Sequence, residues 1–330
     1  MAPTAALWDA TGRFSGDSRE SRGALQPLPL AFAAQMLGGP RGFSLSRHPR
    51  RIKLCGVVDS TGGIWDVGST CFQSAQEVAK VQDESEYLGD VICLYERSGF
   101  AAQPWAAAGY RVWCYDSGHR WERVVRFGRG QIHFVLWDAQ AEGAVESIIE
   151  RHKENRRQEP SKGLSRPVIL LGFPPCTDLA TSGSSHFRSK WRANPAFQSE
   201  AMRMVRACDS IADALGIPYA TENPVSVISS LWRKPDFTFH PFEFGGWLPE
   251  GDSHPTYPKH VAPRDAYRKL TCLWVGNGFV LPTRRPVKPM RSGASHGGAD
   301  AALIRSLTPR GAFIAIFDAN HKAIESGPCP

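Results

Sequence analysis

The sequence contains no long apolar run. None of its hydrophobic stretches approaches the ~20 residues that a membrane-spanning helix needs, although 42% of the 330 residues are hydrophobic and can bury a sizeable core. The first residues also lack a basic start followed by an apolar core, which is the pattern of a secretory signal. These absences predict a cytoplasmic protein without a membrane partner.

Paired metal ligands are absent as well. The eight cysteines are scattered, and no two of them form a C-x-x-C pair. Cys114 and His119 are close in sequence, but two further ligands at a usable spacing are missing, so no metal site is predicted. Several cysteines lie within apolar stretches, which favours reduced cytosolic thiols over a disulfide framework.

Acidic residues are too few to balance the basic ones. The net charge is +7, and residues 1–53 hold eight Lys and Arg against three Asp and Glu. A basic balance suits a polyanionic partner, although many basic proteins bind none. Residues 1–50 are interpreted as a mostly disordered basic arm, either a DNA tether or a solvated tail. Residues 51–88 are interpreted as an N-terminal extension made of a hairpin and a short helix.

From Asp90 onward, strand-length apolar runs alternate with helix-length patterns. This alternation indicates an α/β, Rossmann-like domain over residues 89–330, with a mostly parallel sheet and helices on both faces. The predicted strands are Val91–Glu96, Arg111–Asp116, Ile132–Asp138, Val168–Leu171, a strand from Pro218, and Leu270–Val275. The predicted helices are Ala101–Ala108, Glu142–Arg157, Pro195–Leu215, Ala301–Arg305 and Ala312–Ala319.

Cys176 follows the predicted central strand, Val168–Leu171. Pro174 and Pro175 stop this strand, because proline fixes φ and has no amide proton. Open α/β sheets bind their ligands at the carboxyl ends of the strands. The thiol is therefore predicted to be a nucleophile. The alternative is a small buried hydrophobe, as expected for the other strand cysteines.

Glu222 and Asn223 repeat this design one strand later. They precede Pro224, which again prevents the strand from continuing. A carboxylate in a partly apolar cleft can rise in pKa and carry a proton. The alternative is a surface salt bridge at a strand end. The thiol and the carboxylate are predicted to form two halves of one site.

The first strands are typical of a nucleoside-binding unit. Gly99 at the strand–helix turn lets the backbone approach a ligand closely. Asp116 ends the second predicted strand, where a carboxylate commonly takes a ribose hydroxyl pair. Asp138 ends the third, where it can meet an exocyclic amine. The alternative for both acids is that they cap the following helices.

Two basic segments suit a nucleic acid. Arg188, Lys190 and Arg192 alternate with aromatic residues after the cysteine loop, a pattern that suits phosphates and unstacked bases. The alternative is the solvated start of the next helix. Arg284 and Arg285 belong to a second basic run, within a short loop-like segment near 276–304.

Together these motifs resemble the DNA cytosine-5 methyltransferases, and most of all their short phage- or prophage-type members. The resemblance rests on Phe173-Pro-Pro-Cys176 followed by Glu222-Asn-Pro224, and it covers roughly Asp90 to Asn320. It implies an S-adenosylmethionine-dependent methyltransferase fold in a prokaryotic or phage-infected cell. Residues 276–304 would be a minimal target-recognition segment.

The resemblance also implies a mechanism on double-stranded DNA with a flipped cytosine. Cys176 would add to carbon 6 of the base, and Glu222 would hold ring nitrogen 3 and the exocyclic amine. Asn223 would complete the catalytic set. The methyl group would come from S-adenosylmethionine, and the residues expected to hold this cofactor are Tyr95, Gly99, Phe100, Asp116, Asp138 and Pro174.

The chain departs from the family at the cofactor motif. The family has Asp-Leu-Phe-x-Gly-x-Gly at the first strand, whereas Leu94-Tyr-Glu-Arg-Ser-Gly-Phe100 keeps one glycine. Two alternatives therefore stay open. One is a Cys-dependent enzyme that modifies a free nucleotide or RNA. The other is a catalytically degenerate relic that binds DNA without binding the cofactor.

Overall fold

The computed structural model describes residues 87–158, 166–290, 304 and 306–326. The predicted basic arm and nearly all of the predicted N-terminal extension lie outside these residues, as does most of the predicted helix Ala301–Arg305. In the parts of the chain that are described, no helix is both long and apolar enough to cross a membrane.

One eight-stranded sheet forms the centre of the molecule. Its strands are β1 Asp90–Leu94, β2 Arg111–Asp116, β3 Arg123–Phe127, β4 Gly130–Leu136, β5 Pro167–Gly172, β6 Tyr219–Pro224, β7 Phe237–Phe239 and β8 Thr271–Gly276. Their order across the sheet is β3-β4-β2-β1-β5-β6-β8-β7. The five strands from β4 to β6 are parallel, whereas β3 is antiparallel to β4, and β8 is antiparallel to both of its neighbours. The predicted α/β class and mostly parallel sheet are confirmed.

Helices pack on both faces of this sheet, as predicted. They are α1 Gln103–Ala108, α2 Ala144–Gln158, α3 Phe187–Ala193, α4 Phe197–Leu215, α5 Ile228–Leu231 and α6 Arg310–Ser326. Val91 and Cys93 of β1 face the core shared with α1 and α6. Ile92 and Leu94 face the core shared with α2 and α4. Because both faces are covered, β1 and β5 are buried along their whole length.

Two strand ends near the candidate site differ from the predictions, and the strands β3 and β7 were not predicted. β1 ends at Leu94 rather than Glu96, because Tyr95 has a φ of 60° and turns the chain out of the strand. β4 ends at Leu136, so Asp138 lies in the turn beyond the strand instead of ending it. β3 was not predicted, since its sequence Arg-Val-Val-Arg-Phe is no apolar run and the strand forms the exposed edge of the sheet.

The order in which the chain adds strands to the sheet reverses between β1 and β5. From β1 the chain continues to β2 and β4 on one side, and it then returns to β5 and β6 on the other side. In open α/β sheets the carboxyl ends of the strands at such a reversal form a crevice that binds ligands. The candidate site is therefore sought at this edge.

Candidate active site at the carboxyl edge of the sheet

The parallel strands present a row of polar side chains at this edge. Five such side chains lie at or near the carboxyl ends of the parallel strands. In spatial order, from β4 through β2, β1 and β5 to β6, they are Asp138, Asp116, Glu96, Cys176 and Glu222. Neighbouring strands lie about 4.8 Å apart, so the row spans about 19 Å. The fold thus places the predicted thiol, its partner carboxylate and the two predicted cofactor acids along one edge.

A close approach of α4 determines how the cysteine loop leaves β5. The strand ends at Gly172, where an added Cβ would collide with the Cys208 sulfur of α4. Pro174 is buried and Pro175 is exposed after this point, and the half-buried Cys176 follows them. The prediction that two prolines end the strand and deliver the cysteine at its carboxyl end is confirmed.

The loop that carries Cys176 is tied to the chain beyond β6. The Asn223 side-chain amide donates to the Pro174 carbonyl oxygen at 2.8 Å. The Thr181 amide donates to the Val225 carbonyl at 3.0 Å, and the Val227 amide donates to the carbonyl of the fully buried Leu179 at 2.9 Å. Sequence analysis did not anticipate these ties, which hold the cysteine loop against the strand that carries Glu222.

Glu222 occupies an electrostatic setting that favours its protonated form. Its Oε1 atom is buried and has no hydrogen-bond partner. Burial raises the pKa of this carboxyl, and the nearby Lys269 ammonium only partly opposes the rise. Burial also raises the pKa of the neighbouring Cys272 thiol to about 11, with a further contribution from Glu222. A protonated Glu222 can donate a hydrogen bond, which a carboxylate cannot.

The turn after β1 is organised by Glu96, which sequence analysis gave no role. Glu96 is 2% exposed. Its Oε1 accepts hydrogen bonds from the Ser98 amide at 2.8 Å, the Ser98 hydroxyl at 2.6 Å and the Gly99 amide at 2.7 Å. Gly99 has a φ of 78°, and an added Cβ would collide with the Phe134 ring. An acid placed between an apolar strand and a turn glycine is the signal that could have revealed this arrangement.

The two aromatic residues predicted to hold a cofactor have defined partners. The half-buried Tyr95 donates its hydroxyl to the Met204 carbonyl at 3.0 Å, and its ring lies 5.5 Å from that of Trp137. Phe100 is buried, with its ring edge-on to His254 at 5.1 Å. Both side chains are therefore held by contacts within the protein.

Asp116 and Asp138 differ in their surroundings. Asp116 is half-buried, and its Oδ1 accepts the Gly118 amide at 2.6 Å. Next to it, His119 is 4% exposed, and its Nε2 has no hydrogen-bond partner. Asp138 is exposed, and its Oδ1 accepts the Gln140 amide at 2.9 Å. Both acids therefore accept the amide two residues ahead and cap their own turns, which is close to the alternative considered for them. They differ in exposure, since Asp116 is half-buried and Asp138 is exposed.

The basic residues fall into two groups. Arg188 and Arg192 are exposed on α3. Lys190 turns inward and donates to the Thr177 carbonyl at 2.9 Å and the Asp178 carboxylate at 2.6 Å, so it anchors α3 to the cysteine loop. Arg284 pairs with Glu243 at 3.0 Å, and the Arg285 guanidinium lies 3.6 Å from the Trp247 ring centroid. Arg188 and Arg192 are therefore the best placed to meet a phosphate.

An adenosyl cofactor fits this edge in part. Asp116 can accept the hydroxyl pair of a ribose, in the crevice where the strand order reverses. The amides of the β1 turn, however, already donate to Glu96 and are not available to a ligand carboxylate. Among the described residues, no cluster of three His, Cys, Asp or Glu side chains could hold a metal ion.

Comparison with known proteins adds no further assignment. No protein-family model matches the chain. A search of curated proteins also gives no match. The class that the structure defines is an α/β protein with a mixed, mostly parallel sheet whose strand order reverses between β1 and β5.

Proposed function

We propose that the protein transfers a methyl group to carbon 5 of cytosine in DNA through a covalent adduct with Cys176. The observation that supports this most is the order of the side chains along the sheet edge. Asp116 ends β2, Cys176 follows β5 and Glu222 lies near the end of β6. This is the order in which a ribose, a reacting carbon and a pyrimidine ring would meet them across the sheet. S-adenosylmethionine, when bound, would supply the methyl group.

The proposed chemistry begins at the thiol. The Cys176 thiolate adds to carbon 6 of the cytosine, and the electron pair of the 5,6 double bond moves toward carbon 5 and ring nitrogen 3. Glu222, whose pKa is raised by burial, donates its proton to nitrogen 3 and so offsets the developing negative charge. Carbon 5 gains the methyl group, and the thioether S-adenosylhomocysteine is the leaving group. Loss of the carbon 5 proton to water, departure of the Cys176 thiolate and return of the nitrogen 3 proton to Glu222 then restore the 5,6 double bond.

Asn223 is a positioning residue in this scheme. Its hydrogen bond to Pro174 fixes the distance between the loop that bears the thiol and the strand that bears Glu222. A base can be attacked only when it is held between these groups, because the rate gain from proximity depends on sub-ångström placement.

DNA is the substrate that the surface favours. Arg188 and Arg192 flank Trp191, whose side chain is 58% exposed, on the helix anchored to the cysteine loop. Arginines suit phosphates, and an exposed tryptophan suits the face of an unstacked base. A cytosine has to leave the stack to reach a half-buried thiol, at a cost of a few kcal/mol.

A trapping experiment tests the proposal. DNA that contains 5-fluorocytosine is incubated with the protein and S-adenosylmethionine, and denaturing gels are used to detect a covalent complex. Fluorine cannot leave as a cation, so the adduct should accumulate with the wild type and be lost in Cys176→Ala. Cys272→Ala serves as the matched control, because Cys272 is 5% exposed and should not react. Trapping that survives in Cys176→Ala, or none in the wild type, would refute the assignment.

A further inference from the structure

We propose that Glu96 determines which end group of the cofactor is recognised. Its carboxylate fills the place in the β1 turn where a ligand carboxylate would bind, so the site recognises the ammonium group of the amino-acid end instead. This inference rests on the proposed function, since it assumes an adenosyl cofactor at the same edge.

The first observation is that a side chain of the protein already fills the anion site of this turn. Three donors of Ser98 and Gly99 converge on one oxygen of Glu96 at 2.6–2.8 Å. Consecutive backbone amides in such a turn form a concave anion site. Because Glu96 occupies it, a ligand carboxylate would have to displace a side chain that is held by three hydrogen bonds.

The second observation is an unsatisfied oxygen. Glu96 Oε2 is buried and has no hydrogen-bond partner, and the residue as a whole is only 2% exposed. No Lys or Arg of the described residues forms an ion pair with it. A buried carboxylate oxygen without a partner is costly. A cationic ligand group at this position would remove that cost.

The third observation is the place of Glu96 in the row. It follows β1, between Asp116 on β2 and Cys176 on β5. A cofactor with its ribose at Asp116 and its reactive methyl group directed toward Cys176 has its amino-acid end near β1. Burial raises the pKa of the Glu96 carboxyl, the hydrogen bonds from Ser98 and Gly99 oppose this rise, and the nearby Asp116 carboxylate adds to it. A further carboxylate from the ligand would add to this repulsion, whereas an ammonium group would relieve it.

Calorimetry with three compounds tests the proposal. The compounds are S-adenosylmethionine, its decarboxylated form, which keeps the ammonium group, and 5′-methylthioadenosine, which lacks the whole amino-acid end. For the wild type we expect the decarboxylated form to bind within about threefold of S-adenosylmethionine, or more tightly. We expect 5′-methylthioadenosine to bind at least tenfold more weakly than either.

Glu96→Gln keeps the shape of the side chain and removes its charge. We expect it to weaken binding of the decarboxylated form at least tenfold and to weaken binding of S-adenosylmethionine less. Glu150→Gln, at an exposed position on α2, is the matched control and should leave both affinities unchanged. A wild type that loses tenfold or more on decarboxylation of the ligand, or an unchanged ratio in Glu96→Gln, overturns the proposal.

The outcomes also separate this inference from the proposed function. If no adenosyl compound binds, both fall together. If the expected ratios are found but 5-fluorocytosine DNA gives no adduct, the proposed recognition of the ammonium group is supported and the proposed methylation of cytosine is refuted. Should Glu96→Gln fail to fold, the ratio between the two ligands in the wild type still decides, because that comparison needs no variant.

Discussion

The side-chain amide of Asn223 donates a hydrogen bond to the carbonyl oxygen of Pro174 across 2.8 Å. The two residues are 49 positions apart and belong to different strand ends. Both are buried, and Asn223 Oδ1 has no hydrogen-bond partner. The unsatisfied oxygen lowers stability, and the hydrogen bond that the amide donates to Pro174 offsets part of this cost.

Replacement of Asn223 should therefore affect both stability and reaction. Asn223→Asp keeps the size but places an acceptor against the Pro174 carbonyl, whereas Asn223→Ala removes the donor. We expect Asn223→Ala to lower the free energy of unfolding by about 1–3 kcal/mol, and Asn223→Asp to lower it further. Urea unfolding measures this loss, and adduct formation should slow more than DNA affinity falls. A variant that forms the adduct at the wild-type rate would show that the tie does not position the thiol.

Glu222→Gln should change the pH dependence of stability. Burial raises the pKa of Glu222 in the folded state above its ordinary value of 4.5. The folded protein therefore holds this proton more tightly than the unfolded chain does. The contribution of Glu222 to the free energy of unfolding is fully present below pH 4.5 and is lost as the pH rises through the raised pKa. Glutamine has no proton to lose, so the Tm of the variant should exceed that of the wild type by more at pH 8 than at pH 5. A constant difference in Tm between the two pH values would contradict the raised pKa.

The same substitution separates turnover from DNA binding. Because Glu222 is proposed to stabilise charge in the transition state, Glu222→Gln should lower turnover by about 10²- to 10³-fold. DNA affinity, measured by fluorescence anisotropy, should change little. An equal loss in both quantities would indicate a structural role for the carboxyl group.

Asp116 and Asp138 should differ in their importance for the cofactor. Asp116→Asn replaces a charged acceptor with a neutral amide that has one acceptor oxygen instead of two for the ribose hydroxyl pair. We expect it to weaken binding of S-adenosylmethionine by about 1–3 kcal/mol. Asp138→Asn is the matched control, since Asp138 is exposed and caps its own turn. Its effect on the calorimetric affinity should be smaller. The reverse order would move the ribose away from β2.

The basic residues of α3 should divide in the same way. Arg188→Ala and Arg192→Ala should each reduce the slope of log K against log salt by about 1, because each removes one phosphate contact. Lys190→Ala should leave the slope unchanged, since Lys190 already binds Thr177 and Asp178. Anisotropy with labelled duplex DNA at several KCl concentrations measures these slopes. A slope change for Lys190→Ala equal to those of the arginine variants would contradict this division.

Sequence reasoning located the strand ends because proline leaves few options. Pro174 and Pro224 end β5 and β6 at or near the expected positions, and the apolar runs of buried parallel strands need no tertiary information. The edge strands β3 and β7 were not predicted, since β3 contains two arginines and β7 has three residues. β3 pairs with β4 across a tight turn, whereas β7 pairs with β8, which is remote in sequence. The composition of such short edge strands does not specify these pairings.

The side-chain contacts of the site were the least predictable part. The capture of Ser98 and Gly99 by Glu96, and the inward turn of Lys190, depend on which rotamer each residue takes once the fold is formed. A pattern in the sequence can place a carboxylate or an ammonium near a crevice. It cannot tell whether that group faces a ligand or a neighbouring backbone atom.

The antiparallel strand β8 makes the Glu222 side of the sheet the last part to be built during synthesis. β8 lies between β6 and β7, and Glu222 faces Leu273 across that pairing. Until Thr271–Gly276 has left the ribosome, β6 is an unprotected edge and β7 has no neighbour on which to form. A nascent chain that ends before residue 271 lacks β8, and it also lacks α6, which covers one face of β1. Reactivity toward cytosine should therefore arise abruptly with chain length, as a property of the finished protein.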